Sequence, residues 1–107
     1  DVFTKVAHTP KDILLSQKIW AILNRKTPKG RDYYDTIFLF GITNPNYEYL
    51  KLKAGIENIS QLKETLYNKT VNQPLSEYAN DVNQFLINPT ESKRIEMFPE
   101  FIRKIEG

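Results

Sequence analysis

Apolar residues recur at helical spacing from Ile13 to Phe40, and the recurrence is broken once, at Lys26-Thr27-Pro28-Lys29-Gly30. Pro28 lacks a backbone N–H and Gly30 carries no side chain, so a continuous helix is unfavourable there. A connection this short between two amphipathic helices turns the chain back on itself as an antiparallel hairpin. Thr9-Pro10-Lys11-Asp12 opens the first helix, with Thr9 as the N-cap, Pro10 in the first helical position and Asp12 completing a capping box. That helix is expected to run to about Arg25. Leu14, Lys18, Ala21, Ile22 and Arg25 share one face at the i, i+4, i+7, i+8, i+11 spacing, which Leu15 and Ile19 widen. The second helix is expected over Arg31–Phe40. Tyr34, Ile37, Phe38 and Phe40 supply its apolar surface, and Asp32 and Asp35 favour its N-terminal end.

Past Gly41 the pattern remains helical. Asn44-Pro45 opens a third helix that stops at Gly55. Asn58 or Ser60 caps a fourth, which runs to Asn68 and is packed by Ile59, Leu62, Leu66 and Tyr67. Residues 75–87 carry Leu75, Tyr78, Ala79, Val82, Phe85 and Leu86 at helical spacing. Asn88-Pro89-Thr90-Glu91 has the form of another capped start, Pro99 breaks or kinks that run, and Phe98–Ile105 is expected as a last short helix. These segments read as cover for the hairpin. Residues 1–8 alternate Val2, Thr4 and Val6 with Phe3, Lys5 and Ala7, the pattern of a short extended segment. The expected fold is therefore mainly α. A single helical bundle over residues 1–107 is built on an N-terminal antiparallel helix hairpin, with an extended lead-in at 1–8. The opening Asp1-Val2-Phe3 has neither a starting Met nor a signal-peptide pattern, and reads as the interior of a longer protein.

Composition narrows the function. Forty per cent of the 107 residues are apolar and 26% are charged, as in ordinary globular domains. The net charge of +2 hides an asymmetry: residues 1–31 hold seven Lys/Arg against two Asp, a balance of +5, whereas residues 32–107 hold eight against eleven acidic residues, a balance of −3. A basic end can meet phosphates, or it can be a solvated face. There is no Cys and His8 is the only histidine, which argues against a zinc site or a disulfide framework and is compatible with a cytoplasmic location. No apolar run is long enough to span a bilayer. P-loop, G-x-S-x-G, G-x-G-x-x-G and D-x-D patterns are all missing.

The remaining chemistry lies between Lys18 and Asp35. A helix rises ~1.5 Å per residue, so the length of the Lys18 side chain and the return of the second helix can bring a Lys, an Arg and the two carboxylates Asp32 and Asp35 to one seam. Such a cluster can grip phosphate oxygens while a carboxylate serves proton transfer. Each residue also has a plain structural account: Lys18 as a snorkelling side chain, the two Asp as helix-start residues, and Arg31–Asp35 as a surface i, i+4 pair.

K-I-W-A-I-L-N-R followed by G-R-D-Y-Y-D resembles the lysine/arginine–aspartate motif of the AbiEii/AbiGii nucleotidyltransferase-like toxins of bacterial phage-defence and toxin–antitoxin operons. Asp81-Val82-Asn83-Gln84-Phe85-Leu86 and Met97-Phe98-Pro99-Glu100-Phe101 are similar to that family's C-terminal region. The resemblance implies that Lys18 and Asp32 are catalytic and that Arg25, Arg31 and Asp35 bind substrate or shape the site. It implies a nucleotidyltransferase domain preceding this region, with a Gly-Ser loop and metal-binding acidic residues that this sequence lacks. NTP and Mg are then expected in the intact parent, with no cofactor held by this fragment and no activity of the fragment alone. A tRNA acceptor, a cognate antitoxin and a cytoplasmic location follow from the same resemblance. The competing expectation is a non-catalytic helical interaction domain that docks an antitoxin or another protein.

Overall fold

A computed structural model describes residues 9–26, 28–83 and 93–105 of the chain. Seven helices follow one another among the described residues: α1 (Lys11–Asn24), α2 (Gly30–Phe40), α3 (Tyr47–Ala54), α4 (Ile59–Thr70), α5 (Leu75–Asn83), α6 (Lys93–Glu96) and α7 (Phe98–Lys104). No strand occurs among them, so the mainly α expectation holds. The extended segment at 1–8, the end of the helix expected over 75–87, and the Asn88–Glu91 start lie outside the described residues.

The first two helices form the hairpin. Lys18 pairs with Asp35, and Arg25 with Asp32, so positions later in α1 meet positions earlier in α2, the pairing of an antiparallel return. Pro10 rather than Thr9 occupies the N-cap of α1, and Asp12 accepts a hydrogen bond from Asn46 Nδ2 at 3.0 Å. The buried Ser16 hydroxyl accepts from the Asn46 backbone N–H at 2.8 Å, tying the start of α3 to the middle of α1. Asn46 also caps α3 through its side chain, which accepts from the Tyr49 N–H. Gly55 ends α3 at φ 72°, a left-handed conformation that favours glycine. Asn58 caps α4 by accepting from the Gln61 N–H. At the other end of the chain Pro99 sits in the first turn of α7, where its missing N–H leaves no helical bond unmade.

The hairpin is covered on two sides. α1 packs on α3 and α4, whereas α2 packs on α5, α6 and α7. The centre of the buried α1 face is Leu15, Ile19 and Ile22, one position round from the expected stripe, with Leu14 and Ala21 half-buried at its edge. On α2 the sequence reading is corrected. Tyr33, Thr36, Ile37 and Leu39 are buried, Tyr34 and Phe40 are half-buried, and Phe38 is 60% exposed. The reason lies in packing. Tyr33 stacks on Tyr78 with ring centroids 5.5 Å apart and meets Phe98 edge-on at 4.9 Å, so those partners fix which face of α2 turns inward. Among the described residues no helix is long and apolar enough to cross a membrane.

Candidate functional site

Asp32 is the third residue of α2 and lies on the hairpin seam. Its carboxylate Oδ2 accepts from the Lys29 backbone N–H at 3.2 Å, which satisfies an otherwise unpaired donor at the helix start. The same oxygen accepts from Arg25 Nη1 at 2.8 Å. The other oxygen faces Lys18 Nζ at 3.8 Å, close enough for attraction but long for a hydrogen bond. One turn on, Asp35 Oδ2 meets Lys18 Nζ at 3.0 Å, and its Oδ1 accepts from Arg31 Nε at 3.1 Å. The five charges thus form one alternating chain, Arg25–Asp32–Lys18–Asp35–Arg31.

The chain is graded in burial. Side-chain exposure rises from 7% at Asp32 through 22% at Asp35 and 28% at Lys18 to 47% at Arg25 and 64% at Arg31. The carboxylates sit inward and the cations form the outer layer. Helix geometry accounts for this: short Asp side chains stay close to the α2 backbone, while Lys18 and Arg25 reach across on long stems. All five predicted residues are therefore brought together, and Lys18 reaches both carboxylates. The expected i, i+4 pair of Arg31 and Asp35 is formed.

Chemically, the arrangement offers cations whose donors are only partly used. The bond to Asp32 takes one of the five N–H groups of the Arg25 guanidinium, and the Lys18 ammonium has three N–H groups to distribute. A phosphate oxygen approaching from solvent would meet Arg25 and Lys18 before the carboxylates. Asp32 and Asp35 already face cations, and no group of three His, Cys, Asp or Glu able to hold a metal occurs among the described residues. The five site residues do not fit the donor set of a divalent cation.

Two nearby residues were not legible as part of this region. Tyr33, next to Asp32, is fully buried, and its hydroxyl has no hydrogen-bond partner among the described residues. Burial foremost, then the neighbouring Tyr78 and Asp32, push its ionisation well above the ordinary tyrosine range. Lys69, in the last turn of α4, donates from Nζ to the Arg25 carbonyl at 3.3 Å and so adds a cation to the hairpin end. Nothing in local spacing links Lys69 to Arg25, 44 residues away.

A separate groove of about 1030 Å³ lies at the opposite end of α2, walled by Ile37, Phe40, Tyr47, Ile59, Phe101 and Ile105 among others. It is largely apolar. Comparison of the chain with protein-family models, with curated proteins and with solved structures finds no match.

Proposed function

We propose that this chain is the helical C-terminal region of an AbiEii/AbiGii-like nucleotidyltransferase, with the hairpin seam forming one wall of the transfer site. The observation that supports this reading is the convergence of Lys18, Arg25, Arg31, Asp32 and Asp35, the residues that carry the sequence resemblance, into a single network. On this reading Lys18 binds the triphosphate and Arg25 and Arg31 add positive charge at its edge. Asp32 orients the acceptor hydroxyl or takes its proton as the hydroxyl bonds to the α-phosphorus and pyrophosphate leaves. Asp35 holds Lys18 and Arg31 in place. Magnesium would neutralise triphosphate charge, with ligands from the preceding domain of the parent, since the seam does not supply them. On this reading the acceptor is tRNA, and a cognate antitoxin would restrain the intact toxin.

The second reading is a non-catalytic interaction domain whose charged seam only locks the hairpin. The observation that favours it is that each of the two carboxylates is already matched by cations within 4.0 Å. Lys18→Ala and Asp32→Asn in the intact parent separate the two. Losing a cation placed where charge develops typically costs about 100- to 1000-fold in rate. On the transferase reading both variants lose nucleotide transfer, Lys18→Ala to that degree. Lys18→Ala changes thermal melting little, because Arg25 and the Lys29 N–H still hold Asp32 and Arg31 still holds Asp35. Asp32→Asn also lowers the Tm, because it removes a buried charge paired with Arg25 and Lys18. Full transfer activity in folded Lys18→Ala and Asp32→Asn would leave the seam as scaffold.

A further inference from the structure

We infer that the hairpin end of the bundle is a binding surface for the phosphodiester backbone of a nucleic acid, formed by Arg25, Lys26, Lys29, Arg31 and Lys69. Four of these cations are close in sequence; the fold adds the fifth by docking the C-terminal turn of α4 against Arg25. Arg25, Lys26, Lys29 and Arg31 are exposed and Lys69 is half-buried. The two acidic residues of the same region, Asp32 and Asp35, are drawn inward and covered by Lys18, Arg25 and Arg31. The solvent-facing charge at this end is therefore more positive than the sequence balance alone indicates. Among the described side chains of the adjoining helix, Glu77 carries an exposed carboxylate, one residue before the Tyr78 that packs on Gly30.

The surroundings favour a nucleic acid over a protein partner. Protein interfaces centre on exposed apolar and aromatic side chains, whereas backbone-binding surfaces use cations and amides. Here Asn24, Asn68 and Asn72 are exposed beside the cations. Among the described residues, the exposed large apolar side chains Phe38, Ile42, Leu52 and Met97 belong to other parts of the fold, and only Val71 lies within two residues of Lys69. The surface deepens the transferase reading and rests on it for one point, that the bound strand leads its end past Lys18.

The test is binding, measured by fluorescence anisotropy with a labelled oligouridylate across a salt series. The triple variant Lys26→Gln/Lys29→Gln/Lys69→Gln is compared with Lys53→Gln/Lys93→Gln/Lys104→Gln, which removes the same charge from exposed positions elsewhere. Each phosphate-contacting lysine contributes ~0.7 to the salt slope on a single strand, so the first triple should flatten that slope by about 2 and weaken binding about tenfold or more at moderate salt. The control triple should bind nearly as the parent sequence does. Equal weakening by both triples, no binding by the unaltered chain at low salt, or equally effective competition by polyglutamate would each overturn the proposal, the last in favour of an acidic protein. If the first triple fails to fold by circular dichroism, amine labelling of the unaltered chain decides. Protection of Lys26, Lys29 and Lys69 by the oligonucleotide supports the surface, and protection no greater than that of Lys53, Lys93 and Lys104 overturns it. The transferase reading fails separately, through retained transfer in Lys18→Ala.

Discussion

The Tyr33 hydroxyl lies in the core without a hydrogen-bond partner among the described residues, while its ring is held between Tyr78 and Phe98. A buried polar group left unpaired costs ~1–3 kcal/mol, and Phe would keep the ring packing without it. Tyr33→Phe is therefore expected to stabilise the chain by about 1 kcal/mol, a rise in Tm of ~4–8 °C for a domain of this size. The same substitution should change the alkaline limb of stability. Burial raises the Tyr33 pKa in the folded chain above its ordinary value of 10.0. Its contribution is therefore complete below that value and is lost at higher pH, where the unfolded chain has released a proton that the folded chain retains. Melting followed from neutral to alkaline pH should show a smaller loss above pH 10.0 in Tyr33→Phe than in the unaltered chain. A lower Tm at neutral pH would mean that the hydroxyl does have a partner. Sequence spacing offered Tyr34, Ile37, Phe38 and Phe40 as the apolar surface of this helix. Ile37 is buried, but Tyr33 takes the central place while Phe38 faces solvent, and only the partners opposite decide between them.

At the scale of the helix, Gly30 shows how an element can be set by what approaches it. The sequence presents it as a breaker, yet it is the first residue of α2. A Cβ there would run into the Tyr78 carbonyl and come within 2.7 Å of Val82 Cγ2 on α5. Two effects oppose each other in Gly30→Ala. Helix propensity favours Ala by up to ~1 kcal/mol, while overpacking against backbone costs ~1–3 kcal/mol or more. The carbonyl cannot rotate away as a side-chain tip would, so net destabilisation is expected. It should appear as a lower urea midpoint at unchanged slope. A higher midpoint would show that α2 and α5 can separate without cost. The loop between the helices, by contrast, was legible, because Pro28 acts on the chain locally.

For the whole molecule, Phe98 joins the hairpin to its cover, and the cover closes on itself where α4 packs on α7. Phe98 is fully buried, with Tyr33 on one side and Phe101 at 6.5 Å on another. Removing such a ring costs ~3–5 kcal/mol, a large part of the ~5–15 kcal/mol by which a domain is stable. Phe98→Ala should therefore leave the chain partly unfolded at physiological temperature, with circular dichroism and tyrosine fluorescence losing signal together. Loss confined to a fraction of the helical signal would instead show that α1 and α3 hold independently of the α5–α7 cover. The radius of gyration of 13.4 Å is close to the ~13 Å expected for a compact domain of this length.

Helix positions, the hairpin turn, the Gly55 stop and the Arg31–Asp35 pair could all be read from the sequence, and the cap of α4 was narrowed to Asn58 or Ser60, because each depends on residues within about one turn of each other. The meeting of Lys18 with Asp32 and Asp35 followed from two local facts, the face of each helix and a short turn between them. The inward turn of Tyr33, the close approach at Gly30, the Asn46–Ser16 tie and the arrival of Lys69 at Arg25 each join helices distant along the chain. An amphipathic helix carries more apolar surface than any one neighbour can cover. Which part of that surface is buried, and which charges are left facing water, is settled only when all the helices pack at once.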